Sequence, residues 1–307
     1  MILDLGNKRE KIMDTHHKVI FGNCMNMKEI QDESIQLILT SPPYFNAPFD
    51  YKNLFENYDQ YLGVLKRVAK EMFRVLQQGR IFVLNIDDML IDGVKYPITA
   101  DATKIFQNAG FRYRDRIVWK KPDGYLRISR RSGVLLKNPY PMYFYPDNLL
   151  ESIIIFQKGK FDYRSKSQEI RKSSIIDTKE FQKNGWYKTL WEITNVLPGS
   201  PLEKNIAAFP EEIPYRIIKL FSYIGETVLD PFLGSGTTMK VAKNLNRNSI
   251  GIEIIRDLEE VIRKKTGFDK ESEKENLEIV NREKGKYRYV NLEYIKKRGN
   301  GKETTQK

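Results

Sequence analysis

A chain of 307 residues with 40% hydrophobic and 12% aromatic content is long enough to bury a full core, at about the upper size for one α/β domain. Its single cysteine, Cys24, excludes an internal disulfide, a four-thiolate zinc site and a Cys-x-x-Cys redox pair, and two histidines, His16 and His17, leave metal catalysis poorly supplied. The net charge of +12 points to a polyanionic partner, because phosphate neutralisation by Lys and Arg supplies most sequence-independent nucleic-acid affinity.

That charge is localised. Residues 120–190 hold 15 Lys/Arg against 7 Asp/Glu and residues 255–307 hold 15 against 11, so the rest of the chain is neutral. No apolar run approaches the roughly 20 residues needed to span a bilayer, and the first residues lack a signal-peptide pattern, so a cytoplasmic location and no membrane partner are expected. His16 and His17 are neighbours on opposite sides of the chain and read as surface residues, so no metal site is expected.

Short apolar strands alternate with amphipathic helices along the chain, the pattern of an α/β fold with a mostly parallel sheet. A strand is predicted over 17–21 (HKVIF), followed by the Gly22-Asn23-Cys24 turn, and a second over 35–40 (IQLILT). The stretch 41–57, rich in Pro and Asn, is too long for a simple connection and reads as a functional loop. A helix follows over 58–76, where Tyr61, Leu65, Val68, Met72 and Leu76 recur at helical spacing. Strands are then predicted over 80–86, 111–119 and 151–157, with a helix over 98–109. The segment 158–204 shows no clear element and reads as an inserted recognition region. A helix over 211–222, a strand over 226–230, a helix over 237–246 and a strand over 248–253 complete a sheet of seven strands, forming one domain with insertions.

Two loops carry chemistry. Val228 to Thr238 (VLDPFLGSGTT) is a strand that ends on Asp230 and enters a glycine turn before a helix. Gly234 and Gly236 let a ligand approach the backbone, and the helix from Thr237 offers unpaired N–H groups. The next strand ends at Glu253, about 20 residues on, where a carboxylate can accept from ribose hydroxyls. The spacing would also suit a nicotinamide dinucleotide. However, Met239 stands where the third glycine of that fingerprint would fall, and Asp230 would face a pyrophosphate, so a cationic ligand fits better. The other loop, Thr40-Ser41-Pro42-Pro43-Tyr44, also follows a strand directly. Its two prolines fix φ and remove two donors, leaving rigid carbonyl acceptors beside the Ser41 hydroxyl and an aromatic face at Tyr44. Two acceptors gripping the hydrogens of a nucleobase amine would favour its reactive, pyramidal form. Taken alone, Pro-Pro-Tyr reads better as a rigid turn whose tyrosine covers the core.

Asp-Pro-Phe-x-Gly-x-Gly-Thr with Glu253 downstream and Ser-Pro-Pro-Tyr upstream together resemble the amino-methyltransferases of DNA found in restriction-modification systems. The acceptor loop precedes the cofactor loop, as in that family's circularly permuted beta group, and Thr-Ser-Pro-Pro-Tyr is similar to the form of its cytosine-N4 enzymes. Asn205 to Pro210 looks like its cofactor-covering segment and Gly22-Asn23-Cys24 like a family turn, with Asn205 and Asn23 where His and Asp are usual.

The resemblance implies a methyltransferase fold, S-adenosyl-L-methionine as cofactor and double-stranded DNA as partner, with a cognate restriction endonuclease acting on the same site. It implies cofactor contacts from Asp230, Phe232, Gly234, Ser235, Gly236, Thr237, Thr238, Glu253, Asn23, Phe209 and Pro210. The base would be held by Ser41, Pro42, Pro43 and Tyr44, with Asp87 or Asp88 as a proton acceptor, a serine partner or a helix cap. Because a paired base cannot present its amine, the target nucleotide must be flipped out. Cytosine-C5 chemistry is set aside, since Cys24 has no adjacent proline.

The expected organisation is a catalytic half over 1–157, a recognition insertion over 158–204, a cofactor half over 205–266 and a basic extension over 267–307. DNA contacts are expected from Arg127, Arg130, Arg131, Arg164, Arg171 and Lys172. The alternative acceptor is adenine N6, and more distant readings are a nucleotide-dependent oxidoreductase and a non-catalytic DNA-binding module.

Overall fold

The computed structural model describes residues 14–47, 54–122, 132–194, 209–270 and 276–282. The strands are β1 (His17–Phe21), β2 (Ile35–Thr40), β3 (Leu76–Ile86), β4 (Met89–Ile91), β5 (Val94–Tyr96), β6 (Arg112–Lys120), β7 (Leu150–Gln157), β8 (Leu190–Glu192), β9 (Thr227–Asp230), β10 (Asn248–Glu253) and β11 (Leu277–Asn281). The helices are α1 (Tyr58–Val75), α2 (Ile98–Asn108), α3 (Ser132–Lys137), α4 (Gln168–Ser173), α5 (Thr178–Lys183), α6 (Glu212–Phe221), α7 (Thr237–Asn244) and α8 (Glu259–Thr266).

Among the described residues, nine strands form one sheet in the order β11-β1-β10-β9-β2-β3-β7-β6-β8, and β4 with β5 forms a separate hairpin. All seven expected strands are present, and β8 and β11 add one strand at each edge. The sheet is parallel except for β7, which runs against both β3 and β6. Both faces are covered, which is why the central strands are apolar at nearly every position. In β2, Ile38 packs on one face in a cluster with Met72 of α1 and Phe106 of α2, while Leu37 and Leu39 pack on the other with Ile217 of α6 and Val241 of α7.

Two local departures from expectation have simple causes. β3 begins at Leu76, four residues earlier than expected, because Gln77, Gln78 and Gly79 hide the strand from a hydropathy reading. Gly79 has φ +81°, and a Cβ there would meet the Lys160 carbonyl oxygen and Phe161 backbone at 2.6 Å. The segment after 157 is also not structureless. It contains a 3-10 turn at Tyr163–Ser165, the short helices α4 and α5, and the edge strand β8.

The topology sets the position of the site. β9 and β2 are adjacent, and from them the chain builds the sheet outward in both directions, which leaves a crevice beyond their carboxyl ends. Thr40 at the end of β2 donates to Asp230 Oδ1 at the end of β9 at 2.6 Å, closing the base of that crevice. Because β7 is reversed, Glu151 at its start lies at this same edge, and Gln157 at its end lies at the opposite one.

Candidate active site

A solvent-open cleft of about 750 Å³ lies over the carboxyl ends of the parallel strands. Gly22, Asn23 and Cys24 line it after β1, Ser41 and Pro43 after β2, Pro231 and Phe232 after β9, and Glu253, Ile254 and Ile255 at the end of β10. The glycine-turn side and the serine-proline side therefore share one cavity. Leu54, Phe55 and Val64 add an apolar wall.

On the glycine-turn side, Gly236 adopts φ +90° at the start of α7, a conformation that side-chain-bearing residues rarely reach. Gly251 in β10 is required for a different reason. A Cβ there would meet the Leu233 side chain at 2.5 Å, so its absence lets the turn close on the sheet, where Leu233 N donates to the Ile252 carbonyl at 3.0 Å. Glu253 is buried, and burial pushes its carboxyl up to about 7, against the pull of backbone N–H groups. Its Oε2 accepts from Gly234 N and its Oε1 from Ile255 N, both at 2.8 Å. Each oxygen keeps a further lone pair for a ligand hydroxyl.

Asp230 occupies a different position from the one expected of it. It is 3% exposed and lies behind the cleft wall, accepting from Thr40 Oγ1, from Phe232 N at 3.1 Å and from Thr238 Oγ1 at 2.7 Å. Burial raises its carboxyl to about 6 despite these donors. Asp230 thus ties the turn together, and Thr238 serves it. Ser235 and Thr237 both accept from Lys265 Nζ of α8, at 2.8 and 2.7 Å, an ammonium that sequence reasoning missed. Asn23 lines the cleft while its side chain caps its own turn, accepting from Met25 N at 2.8 Å. Phe209 and Pro210 are buried just ahead of α6, with Phe209 packed in the Leu37 and Leu39 cluster rather than lining the cleft. Asn205 lies outside the described residues.

On the other side, Ser41 and Tyr44 sit in a polar network. Tyr44 donates from its hydroxyl to Glu151 Oε2 at 2.9 Å, and Asn85 Nδ2 donates to the same oxygen at 2.8 Å. Asn85 Nδ2 also lies 3.4 Å from both Ser41 Oγ and the Tyr44 hydroxyl. Lys121 Nζ pairs with Glu151 Oε1 at 2.5 Å. Burial and then the Glu151 charge hold the Tyr44 phenol well above its ordinary range. Asp87 is pushed up to about 7 by burial and then by Glu151; its carboxylate accepts from Asn148 Nδ2 and, at 2.8 Å, from Asp88 N. Asp88 accepts from Thr99 N at 2.9 Å and is the helix cap of the pair. Sequence reasoning missed Asn85, Glu151 and Lys121. The available signal was Asn85 itself, an amide inside the apolar run of β3.

Two further placements correct the sequence reading. His17 is not a surface residue. It is 2% exposed, bonded to Ser249 Oγ at 2.7 Å and Thr15 Oγ1 at 2.9 Å, and burial lowers its imidazole to about 3. Among the described residues no group of His, Cys, Asp and Glu could hold a metal ion, and burial drives the Cys24 thiol up, away from a nucleophilic thiolate.

Arg164, Arg171 and Lys172 are exposed but lie at the amino-terminal edge of the sheet, opposite the cleft. Their segment is fastened there: Lys166 Nζ pairs with Glu226 at 2.6 Å just ahead of β9, and Ser174 Oγ accepts from Ile224 N at 2.9 Å. The reversal of β7 carries the chain to that edge. The connection 121–149, by contrast, leaves and returns at the cleft edge, through Lys121 and Glu151. Arg127, Arg130 and Arg131 fall within it, outside the described residues.

A nucleotide-type crevice at a β9–β2 switch point, an acid at the end of β10 and a rigid serine-proline loop in the same cavity define an S-adenosyl-L-methionine-dependent methyltransferase with an acceptor pocket. The chain belongs to the N6/N4 DNA methylase family, whose model matches residues 35–264, and is a DNA methyltransferase of the restriction-modification type. It is 37% identical over 302 residues to the type II methyltransferase M.MjaI of Methanocaldococcus jannaschii, covering 87% of this chain and 97% of that protein. It is 31% identical to the type II methyltransferase M.MthZI of Methanothermobacter thermautotrophicus, covering 92% and 87%. Among solved structures, a DNA modification methylase of Thermus thermophilus in complex with S-adenosyl-L-methionine shares the fold at TM-score 0.67 and 24% identity, covering 88% of this chain and 100% of that one. The cytosine-N4-specific PvuII DNA methyltransferase does so at TM-score 0.61 and 17% identity, covering 94% of each. S-adenosyl-L-methionine is the cofactor, and the residues present fit it: a buried carboxylate with spare acceptor capacity, an apolar wall and an open path to Ser41.

Proposed function

We propose that the chain methylates the exocyclic N4 amine of a cytosine flipped out of double-stranded DNA, as the protective, cytoplasmic half of a restriction-modification pair. The observation that carries this reading is that Ser41 and Glu253 open into one cleft. When bound, S-adenosyl-L-methionine supplies an electrophilic sulfonium methyl. The protein's task is then to align an amine with it and exclude water.

In this reading Glu253 accepts from the ribose hydroxyls, Asn23 and Phe232 flank the cofactor, and Gly234, Ser235, Gly236 and Thr237 shape the turn beside it. Asp230 and Thr238 act by holding that turn, and Phe209 with Pro210 seats α6 next to it. Ser41 Oγ and the Pro42 carbonyl accept from the amine, Pro42 and Pro43 keep those acceptors fixed, and the Tyr44 ring offers a stacking face. Serine ahead of Pro-Pro-Tyr favours cytosine over adenine.

DNA docks at the cleft edge on the 121–149 connection rather than on 158–185. Arg127, Arg130 and Arg131 meet phosphates there, and the exposed Tyr140, Met142 (91% exposed) and Phe144 (69% exposed) supply apolar surface for unstacked bases. The cognate endonuclease reads the same site without binding this chain.

The test is incubation with labelled S-adenosyl-L-methionine and DNA of varied sequence, then digestion to nucleosides. N4-methylcytosine is expected. N6-methyladenine would move the acceptor to adenine, and unlabelled DNA across a broad sequence range would overturn the reading.

A further inference from the structure

Methyl transfer to a base amine leaves the nitrogen positively charged with one proton too many. Holding the amine does not dispose of that proton. Beside Ser41 the structure contains a second hydroxyl, that of Tyr44, bonded to a carboxylate, with the Asn85 amide spanning all three groups. Asn85 Nδ2 lies 3.4 Å from both Ser41 Oγ and the Tyr44 hydroxyl, bringing the two hydroxyls to one amide, and the phenol donates to Glu151 Oε2 at 2.9 Å. Glu151 is 9% exposed and fixed from two further directions, by Asn85 Nδ2 at 2.8 Å and by Lys121 Nζ at 2.5 Å. The charged and titratable groups facing it are Lys121, Tyr44 and Asp87.

We propose that Glu151 is the terminal proton acceptor of the reaction, reached through Ser41 and Tyr44, an inference that rests on the base-amine reading above. As the methyl–nitrogen bond forms, the methyl's bond to the sulfonium sulfur breaks with its electron pair left on sulfur; an amine N–H bond then breaks and Ser41 Oγ takes the proton. The Ser41 hydroxyl proton passes to the Tyr44 oxygen, and the Tyr44 phenolic proton passes to Glu151 Oε2. The N–H electron pair stays on nitrogen, which ends neutral, and the carboxylate ends as the acid. Ser41 and Tyr44 regain their starting state, and no oxidant or co-reactant beyond the methyl donor is needed. Lys121 and Asn85 hold the carboxylate in line with the phenol. Asp87 does not lie on this path, because its described partners are Asn148 and the Asp88 N–H.

Glu151 acts through Tyr44, so it is a positioning residue in the sense that it does not touch the base, and its test must separate proton acceptance from shape. Single-turnover methylation is measured across pH for the unsubstituted enzyme and for Glu151→Gln, Glu151→Asp, Tyr44→Phe and the Tyr44→Phe/Glu151→Gln double variant, with DNA and S-adenosyl-L-methionine affinities measured in parallel. Glu151→Gln is expected to lower the single-turnover rate at least tenfold with both affinities within about twofold, and to abolish the decline of the rate on acidification that Glu151→Asp retains. Tyr44→Phe keeps the ring and cuts the path, so it is expected to show the same loss, and the double variant no more than the worse single one. A Glu151→Gln enzyme within twofold of the parent rate with the same pH profile overturns the route. If that variant fails to fold, a Tyr44→Phe enzyme at the parent rate overturns it equally. An unsubstituted enzyme that methylates no base amine refutes the reading of the site itself, an outcome distinct from an active Glu151 variant.

Discussion

Residues 121–149 and residues 158–185 are alike in sequence and opposite in the fold. The first holds five Lys and Arg against two Asp and Glu, the second eight against four, so charge alone favours neither as the face for DNA. Yet β7 lies between them, and a single reversed strand puts the two ends of the first at the carboxyl edge of the sheet and the second at the amino edge. The two differ again in what their charges do. In the second, Lys166 joins a buried tie with Arg80 of β3: both meet Glu226, Arg80 lies 4.8 Å from the centre of the Phe161 ring, and Tyr223 N donates to Glu226 Oε2 at 2.8 Å. In the first, aromatic residues and Met142 are exposed, and its first residue, Lys121, pairs with Glu151, which accepts from Tyr44 of the serine-proline loop. Strand direction, more than residue composition, separates a segment that fastens the fold from one that can reach a substrate.

The contrast can be broken most forcefully at its structural end. Glu226→Ala leaves Arg80 and Lys166 without their shared carboxylate at a buried site and is expected to cost about 3–5 kcal/mol in urea unfolding, while the folded fraction binds cofactor normally. A stability change below about 1 kcal/mol would mean the amino-edge segment is not held by this tie.

At the other end, replacing Arg127, Arg130 and Arg131 together by Ala should lower DNA affinity about 100-fold and reduce the slope of log affinity against log salt by about three. An unchanged slope would remove that connection from the interface.

A third, smaller effect concerns the cofactor side. The Glu253 carboxyl sits at about 7, so its ionised fraction grows as pH rises through neutrality, and affinity for S-adenosyl-L-methionine should rise between about pH 6 and 8. Glu253→Gln should weaken binding about tenfold at pH 8 and flatten that dependence in calorimetry. Smallest of all, the triple change of Arg164, Arg171 and Lys172 to Ala should leave DNA affinity within about twofold, with less than one unit change in salt slope.

Much of this was legible from residues alone. Apolar runs bounded by turn residues located all seven central strands, and the helices over 58–75, 98–108, 212–221 and 237–244 followed from apolar spacing, because each buries a single stripe against the sheet. The two loops were legible because proline and glycine constrain the backbone locally. What escaped was long-range. No local pattern marks that β7 is reversed, so Arg164, Arg171 and Lys172 read as interface residues when they sit at the far edge. Nor does spacing reveal that Asp230 is turned inward by Thr40, 190 residues away, or that Glu151 reaches Tyr44 across 107 residues. His17 misled for the same reason, since its partner Ser249 arrives from a neighbouring strand distant in the chain.

The claim on which everything else depends is that Ser41 faces the reacting amine. Single-turnover DNA methylation by Ser41→Ala, with S-adenosyl-L-methionine affinity measured on the same preparation, tests it directly. A rate lower by about 100-fold or more, with cofactor affinity within a few fold of the parent, is the expected result. Methylation within a few fold of the parent would contradict it and take Ser41 out of the acceptor site.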